Sequence, residues 1–263
     1  MSKWVACVEY AGHPFCGWQR QTHSPSVQQC VEDGLSRVAD HSIEVQCAGR
    51  TDTGVHATNQ IIHFDSLAKR PSHAWVRGAN TFLPEDIRIK WCQPVLDDFH
   101  ARFSAQSRTY RYIVLNTPTK SALAYHYVTW HSSPLCEQTM GKALELLAGE
   151  NDFSAFQAAS CQSNTPMRNV IQTTVWRIQH HVIIEIEANA FLHHMVRNIV
   201  GSVLRVGDGR WALDTFRNVF NSRDRTKAAE TAPPNGLYLV EVKYPALFKL
   251  PAIERGPGIF SQH

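Results

Sequence analysis

Hydrophobic positions along this chain follow two periods that take turns. KWVACVEY, near the N-terminus, reads as a strand, and in SVQQCVEDGLSRVAD the residues Val27, Cys30, Val31, Leu35 and Val38 fall on one helical stripe. IEVQC and QIIHFD read as strands on either side of the loop AGRTDTGVHA, HAWVRGANTFLP as a helix, and IRIKWCQPV as another strand. The predicted order is β-α-β-β-α-β. It then begins again, with TYRYIVLN as a strand and TMGKALELLAGE as a helix carrying Met140, Leu144 and Leu147 on one side. NVIQTTVWRIQ and HVIIEIEANA predict a hairpin, the second strand setting Val182, Ile184, Ile186 and Ala188 against Ile183, Glu185, Glu187 and Asn189. FLHHMVRNIVGSVLRV and WALDTFRNVFN read as helices, and GLYLVEVKY as a last strand.

Two such units predict an α+β fold: duplicated β-α-β-β-α-β units, ferredoxin-like or RRM-like, with mainly antiparallel sheets and helices on one face. The other face of each sheet is then open to a ligand. The expected division is 1–98, 99–245 and a peripheral tail, 246–263, with the connection between halves at Pro94 to Phe99.

Charge adds a direction. The net charge of the 263-residue chain is only +3, but from Phe99 to Cys136 there is no Asp or Glu, while Arg102, Arg108, Arg111 and Lys120 stand among Phe99, Phe103, Tyr110, Tyr112, Tyr125, Tyr127 and Trp130. Cations interleaved with aromatics suit phosphate contacts and base stacking. Buried rings with solvated basic faces give the same pattern. The seven cysteines, at 7, 16, 30, 47, 92, 136 and 161, form no C-x-x-C pair, which fits reduced thiols in a cytoplasmic protein. No apolar run reaches membrane-spanning length. The pairs His180-His181 and His193-His194 lack the i, i+4 spacing of helical ligands, so no metal site is expected.

Two segments carry candidate chemistry. In AGRTDTGVHA, Asp52 precedes Thr53 and Gly54, a composition suited to a tight turn. Arg50 stands two positions away, close enough to pair with the carboxylate and hold it ionised, as a nucleophile or base requires. Asp-Thr-Gly also matches an aspartic peptidase half-site, but that chemistry needs two Asp sharing a proton, and the triplet occurs once. In FLHHMVRNIVGSVLRV, the apolar side opposes a stripe of His194, Arg197, Asn198, Gly201 and Arg205. That stripe is either solvated or lines an anionic site, with Gly201 allowing close approach and each Arg able to grip a phosphate.

GWQRQ (17 to 21), AGRTDTGVHA (48 to 57), DDFHARFSA (97 to 105), TYRYIV (109 to 114), FLHHMVRNIVG (191 to 201) and GLYLVEV (236 to 242), in this order, resemble the tRNA pseudouridine synthases of the TruA type. The resemblance runs from about Lys3 to Pro245. It implies isomerisation of uridine at positions 38, 39 and 40 of the tRNA anticodon stem-loop, without a cofactor, by a homodimer. It places Asp52 as the catalytic aspartate, Arg50 as its paired arginine, Tyr110 as the tyrosine stacking on the target base, and Arg197 at a basic active-site position. Arg20 and Gln21 of the GWQRQ loop, with His194 and Arg205 of the basic stripe, are candidate RNA contacts. Thr53 replaces the family's usual Ala, and Phe15-Cys16 its more common paired tyrosines.

The reaction breaks the N1–C1′ bond, turns the uracil and joins C5 to C1′. It needs a carboxylate near the ribose or base, a wall for the detached uracil and exclusion of water. Asp52 attacks C1′, adds to C6, or assists proton loss from C2′; these routes remain open. The target uridine must leave its stack, at a cost of a few kcal/mol. A noncatalytic RNA-binding protein with two sheet modules is the competing reading, and it parts from the isomerase at Asp52.

Overall fold

The computed structural model describes residues 1–161, 163–252 and 254–257. Backbone contacts divide the chain into one unit of Met1–Gln106 with Tyr238–His263, and a second of Ser107–Leu237. The divisions expected at 98/99 and 245/246 therefore move. Phe99 and Ala101, both fully buried, belong to the core of the first unit, and so does Phe248. The segment from 246, expected as a peripheral tail, thus supplies core residues.

In the first unit the strands β1 (Ser2–Tyr10), β2 (Gln46–Cys47), β3 (His56–Ser66) and β4 (Ile87–Pro94) alternate with helices α1 (Val27–Ala39) and α2 (Ser72–Phe82). β1 pairs antiparallel with both β3 and β4, and the two-residue β2 adds to β3. IEVQC therefore forms a strand only at its last two residues. Ser26 caps α1 by accepting from the Gln29 N–H, and Val27, Val31, Leu35 and Ala39 bury one stripe. Trp75 of α2, fully buried, meets Trp4 of β1 and Phe64 of β3 at 5.5 and 5.1 Å between rings, which fixes the helix-covered face. On the opposite face Val5, Cys7 and Ile61 pack with Phe99, Ala101 and Phe248. That face is covered by chain from both ends of the unit, so the expectation of an open sheet face fails here.

GLYLVEVKY was expected to close the second unit. Its strand, β10 (Leu237–Lys243), is grouped from Tyr238 onward with the first unit, where it pairs in parallel with β3, Tyr238 opposite His56 and Leu239 opposite Ala57.

The second unit contains β5 (Ser107–Asn116), β6 (Thr129–His131), α3 (Glu137–Glu145), β7 (Gly149–Asp152), β8 (Met167–Ile178), β9 (His181–Ala188), α4 (Met195–Gly207) and α5 (Leu213–Ser222). β5, β9, β8 and β7 lie side by side in that order, all antiparallel, with β6 parallel to β5. The predicted hairpin is β8–β9. The helix expected over TMGKALELLAGE stops at Glu145, because Gly149 adopts φ +85° and starts β7. Phe153 and Phe156 pack their rings against Phe216 and Phe220 of α5. No helix among the described residues is long and apolar enough to cross a membrane.

Candidate functional site

In the first unit, the loop carrying Asp52 is held on every side. Gln60, fully buried on β3, accepts from the Gly49 N–H at 3.3 Å and donates to the Gly49 carbonyl, so one amide occupies both backbone groups of that residue. Thr51 Oγ1 lies 2.7 Å from the Tyr10 hydroxyl, itself 3.5 Å from Gln60 Nε2. The Thr51 carbonyl accepts from the Trp18 N–H at 3.0 Å, and Trp18 is buried against Tyr10. After Asp52 the chain turns back, the Val55 N–H donating to the Asp52 carbonyl at 3.1 Å with Gly54 at φ +80°.

Two glycines set how closely the neighbouring loop backs onto this turn. A Cβ on Gly12 would lie 1.9 Å from the Val55 carbonyl oxygen, and one on Gly17 2.8 Å from that of Thr51. The Gly12 N–H also donates to Nδ1 of the buried His56, whose ring stacks on Tyr238 at 4.6 Å. The turn expected from Thr53 and Gly54 is present, and it presents a half-buried Asp52 from a frame fixed on both flanks. Arg50 is exposed; its charge opposes, without overcoming, the burial that pushes the Cys47 thiol up to about 12. Gln21 donates to the Cys16 carbonyl within its own loop. Arg20 is engaged by acids of α1, Nη1 lying 3.1 Å from Glu32 and Nη2 3.4 Å from Asp33.

In the second unit Tyr110 is largely buried on β5, its ring meeting Phe191 edge to face at 5.0 Å. The basic aromatic stretch around it divides. Arg111 is buried against Glu185 and over the Trp176 ring, Arg108 is buried and donates to the Asn189 carbonyl, and the Tyr112 hydroxyl bonds Thr129 and the Pro233 carbonyl. These are structural contacts. Lys120, over the Trp130 ring, and Arg102, over the Phe103 ring, are the exposed cations of that set.

The polar stripe of the helix is largely enclosed. α4 begins at Met195, not Phe191, because His194 stands in the left-handed region at φ 60° as its N-cap. Asn198 and Gly201 are fully buried, so the stripe is neither solvated nor a continuous anionic lining. The chain after α5, residues 225–232, lies along it. Arg197 Nε donates to the Ala232 carbonyl at 2.8 Å, and Arg205 pairs with Glu230. His194 rests ring to ring with His193 at 4.0 Å.

Sequence reasoning missed Tyr10, Gln60 and the 225–232 segment. The signal for Gln60 was a polar residue directly before the apolar pair Ile61-Ile62 in the strand that follows the loop. The signal for the 225–232 segment was Gly201, a glycine inside a helix, which the segment lies against.

A family model described as tRNA pseudouridine synthase matches residues 6–104 and 143–245. Proteins called tRNA pseudouridine synthase A are similar across nearly the whole chain. That of Glaesserella parasuis serovar 5 (strain SH0165) is 51% identical over 250 residues, covering 95% of each chain. That of Legionella pneumophila (strain Corby) is 51% identical over 251 residues, again 95% of each. That of Coxiella burnetii (strain Dugway 5J108-111) is 49% identical over 257 residues, 98% of each.

Proposed function

Since the chain belongs to the tRNA pseudouridine synthase family, we propose that Asp52 is the carboxylate with which it isomerises uridine to pseudouridine in tRNA. The observation that supports this assignment is the frame around Asp52: Gln60, Tyr10 and Trp18 fix the residues before it and the turn to Val55 fixes those after it. A reacting group held this way is pre-organised, so little is lost to reorientation when substrate arrives. A noncatalytic RNA-binding module has no use for it.

In this reading the substrate positions are uridines 38, 39 and 40 of the anticodon stem-loop, each extruded from its stack before reaction. Tyr110 offers a ring to the base, its orientation fixed by Phe191. Arg197 supplies positive charge, and Arg50, exposed beside the acid, takes the place of the departed base or contacts phosphate. Arg20, Gln21, His194 and Arg205 contribute to RNA binding more weakly, because Arg20 and Arg205 are already paired with acids. No cofactor enters the reaction: no atom is lost and nothing is oxidised. The assembly is a homodimer in the cytoplasm.

The test is pseudouridine mapping by carbodiimide adduct stops on unmodified tRNA transcripts. Wild-type protein converts uridines 38 to 40, and Asp52→Asn abolishes conversion while binding tRNA within a few fold. Normal turnover by Asp52→Asn sinks the assignment, and binding without any conversion by the wild type supports the RNA-binding alternative. Light scattering of the purified protein checks the dimer.

A further inference from the structure

Residues 229–232 run antiparallel to α4 and are bonded to it, and the Arg225 side chain reaches the same helix. Ala232 brackets Arg197 twice, its N–H donating to the Arg197 carbonyl at 3.1 Å and its carbonyl accepting from Arg197 Nε at 2.8 Å. One step along, Thr231 Oγ1 donates to Asn198 Oδ1 at 2.7 Å, and Arg225 Nη2 reaches the same oxygen at 3.1 Å. Further on, the Ala229 N–H donates to Ser202 Oγ at 3.2 Å. Between these contacts Gly201 lets the strap lie against the helix, since a Cβ there would stand 2.0 Å from the Glu230 carbonyl oxygen.

Asn198 is the key to this arrangement. It is fully buried, and its other amide end donates to the Phe156 carbonyl at 2.8 Å, so its orientation is fixed from the core side. Arg225 braces the strap internally, donating to the Ala229 carbonyl at 3.0 Å and to Thr231 Oγ1 at 3.0 Å. A strap pinned at 229 and 231 delivers the Ala232 carbonyl to one place. That carbonyl holds Nε, and with Nε held the plane of the guanidinium is set, because the group is rigid and planar. Helix residues keep long side chains in several rotamers unless something outside the helix selects one.

We infer that the strap 225–232 is a positioning device for Arg197, with Asn198, Thr231 and Arg225 as positioning residues that act on the isomerisation through it. The inference rests on the reading of Arg197 given above. None of the three touches the reacting atoms. They determine whether the Arg197 guanidinium meets the substrate in a single orientation, which affects the chemical step more than RNA affinity.

The experiment is a double-mutant cycle read by single-turnover rate and tRNA Kd, with melting temperature as the folding check. Thr231→Val keeps the side-chain volume and removes the hydroxyl; it is expected to slow turnover about tenfold with Kd changed by less than about threefold, and Thr231→Ser restores the rate. The decisive arm is Thr231→Val in an Arg197→Lys background. There the Thr231 change is expected to cost little more, because the residue it acts through has gone. Asn198→Ser, which leaves a smaller acceptor, is expected to follow the same pattern. An equal loss in both backgrounds overturns the proposal, since a merely structural role is additive, and so does an unchanged rate for Thr231→Val when Arg197→Lys is slow. If Arg197→Lys and Arg197→Ala both turn over normally, the reading of Arg197 itself has failed, and the strap has nothing to position.

Discussion

Arg111 and Glu185 stand opposite each other on β5 and β9, with Arg111 Nη2 2.8 Å from Glu185 Oε2 and only 4% and 13% of the two side chains exposed. The pair sits under Trp176, whose ring lies 5.3 Å from the guanidinium. Glu185→Leu therefore removes the acid that neutralises a buried guanidinium and should destabilise the protein by about 3–5 kcal/mol in urea denaturation, while Arg111→Met with Glu185→Leu should recover most of the loss. Because Arg111 is spent on Glu185, the double variant should also keep the wild-type salt dependence of tRNA binding. A slope reduced by about one counterion would instead make Arg111 a phosphate contact.

That pair shows how far the sequence could be read. The absence of acids from Phe99 to Cys136 is real, but the neutralising acid lies 74 positions away along the chain, on the neighbouring strand. Hydrophobic period placed the strands and helices well because it depends on nearest neighbours. It could not place β10, whose partner β3 lies far back in the chain, nor show that Phe99 and Phe248 cover one sheet face. The same limit applied at the site. The turn at Asp52 was visible from Thr53 and Gly54, whereas the residues that fix it, Tyr10, Trp18 and Gln60, come from other segments. The polar stripe on α4 was seen, but not the strap that buries it.

His63 gives the fold a pH dependence of known sign. Burial, then the charges of His100 and Lys3, pull its pKa from 6.5 down to about 4, and its Nδ1 accepts from the Ala101 N–H at 3.1 Å, a bond only the neutral ring can make. Below about pH 6.5 the unfolded chain takes up a proton that the folded chain refuses until about pH 4. Stability from this residue is therefore complete above pH 6.5 and is lost as pH falls through that window, by at most about 1.4 kcal/mol per pH unit. His63→Gln should flatten that part of a urea-midpoint profile measured from pH 4.5 to 7. An unchanged slope would show that other groups set it.

Two glycines with nearly the same φ should respond differently to substitution. Gly17 has φ +84° and Gly149 φ +85°, so alanine costs each about 1–2 kcal/mol of backbone strain. Around Gly149 a Cβ meets nothing within 4 Å, whereas at Gly17 it would press on the Thr51 carbonyl oxygen at 2.8 Å and on Asp52 C and Thr53 N at 3.2 Å. Gly17→Ala is thus expected to lower single-turnover isomerisation by roughly tenfold or more with tRNA affinity nearly kept, and Gly149→Ala to lower melting temperature alone. Equal rates for the two variants would mean that the loop does not depend on this contact.

The cysteines should divide by reactivity. Burial pushes the Cys7 and Cys47 thiols up to about 12 and raises Cys92 as well, and a protonated, enclosed thiol is a poor nucleophile. Cys136 and Cys161 are shifted down. Cys136, at the N-cap of α3, is stabilised as thiolate by bonds from the Thr139 backbone and side chain. At Cys161 burial raises the pKa but is outweighed by hydrogen bonds, among them one from the His193 N–H at 3.4 Å, and by the charge of Arg168. Iodoacetamide at neutral pH, followed by peptide mass mapping of the native protein, should therefore label Cys136 and Cys161 well before Cys7, Cys47 and Cys92. Because Cys161 holds the backbone of His193, two residues before α4 starts at Met195 and four before Arg197, its alkylation should slow isomerisation, whereas Cys161→Ser should keep the bond and most of the rate while removing sensitivity to the reagent. Persistent inactivation of Cys161→Ser by iodoacetamide would point to another thiol.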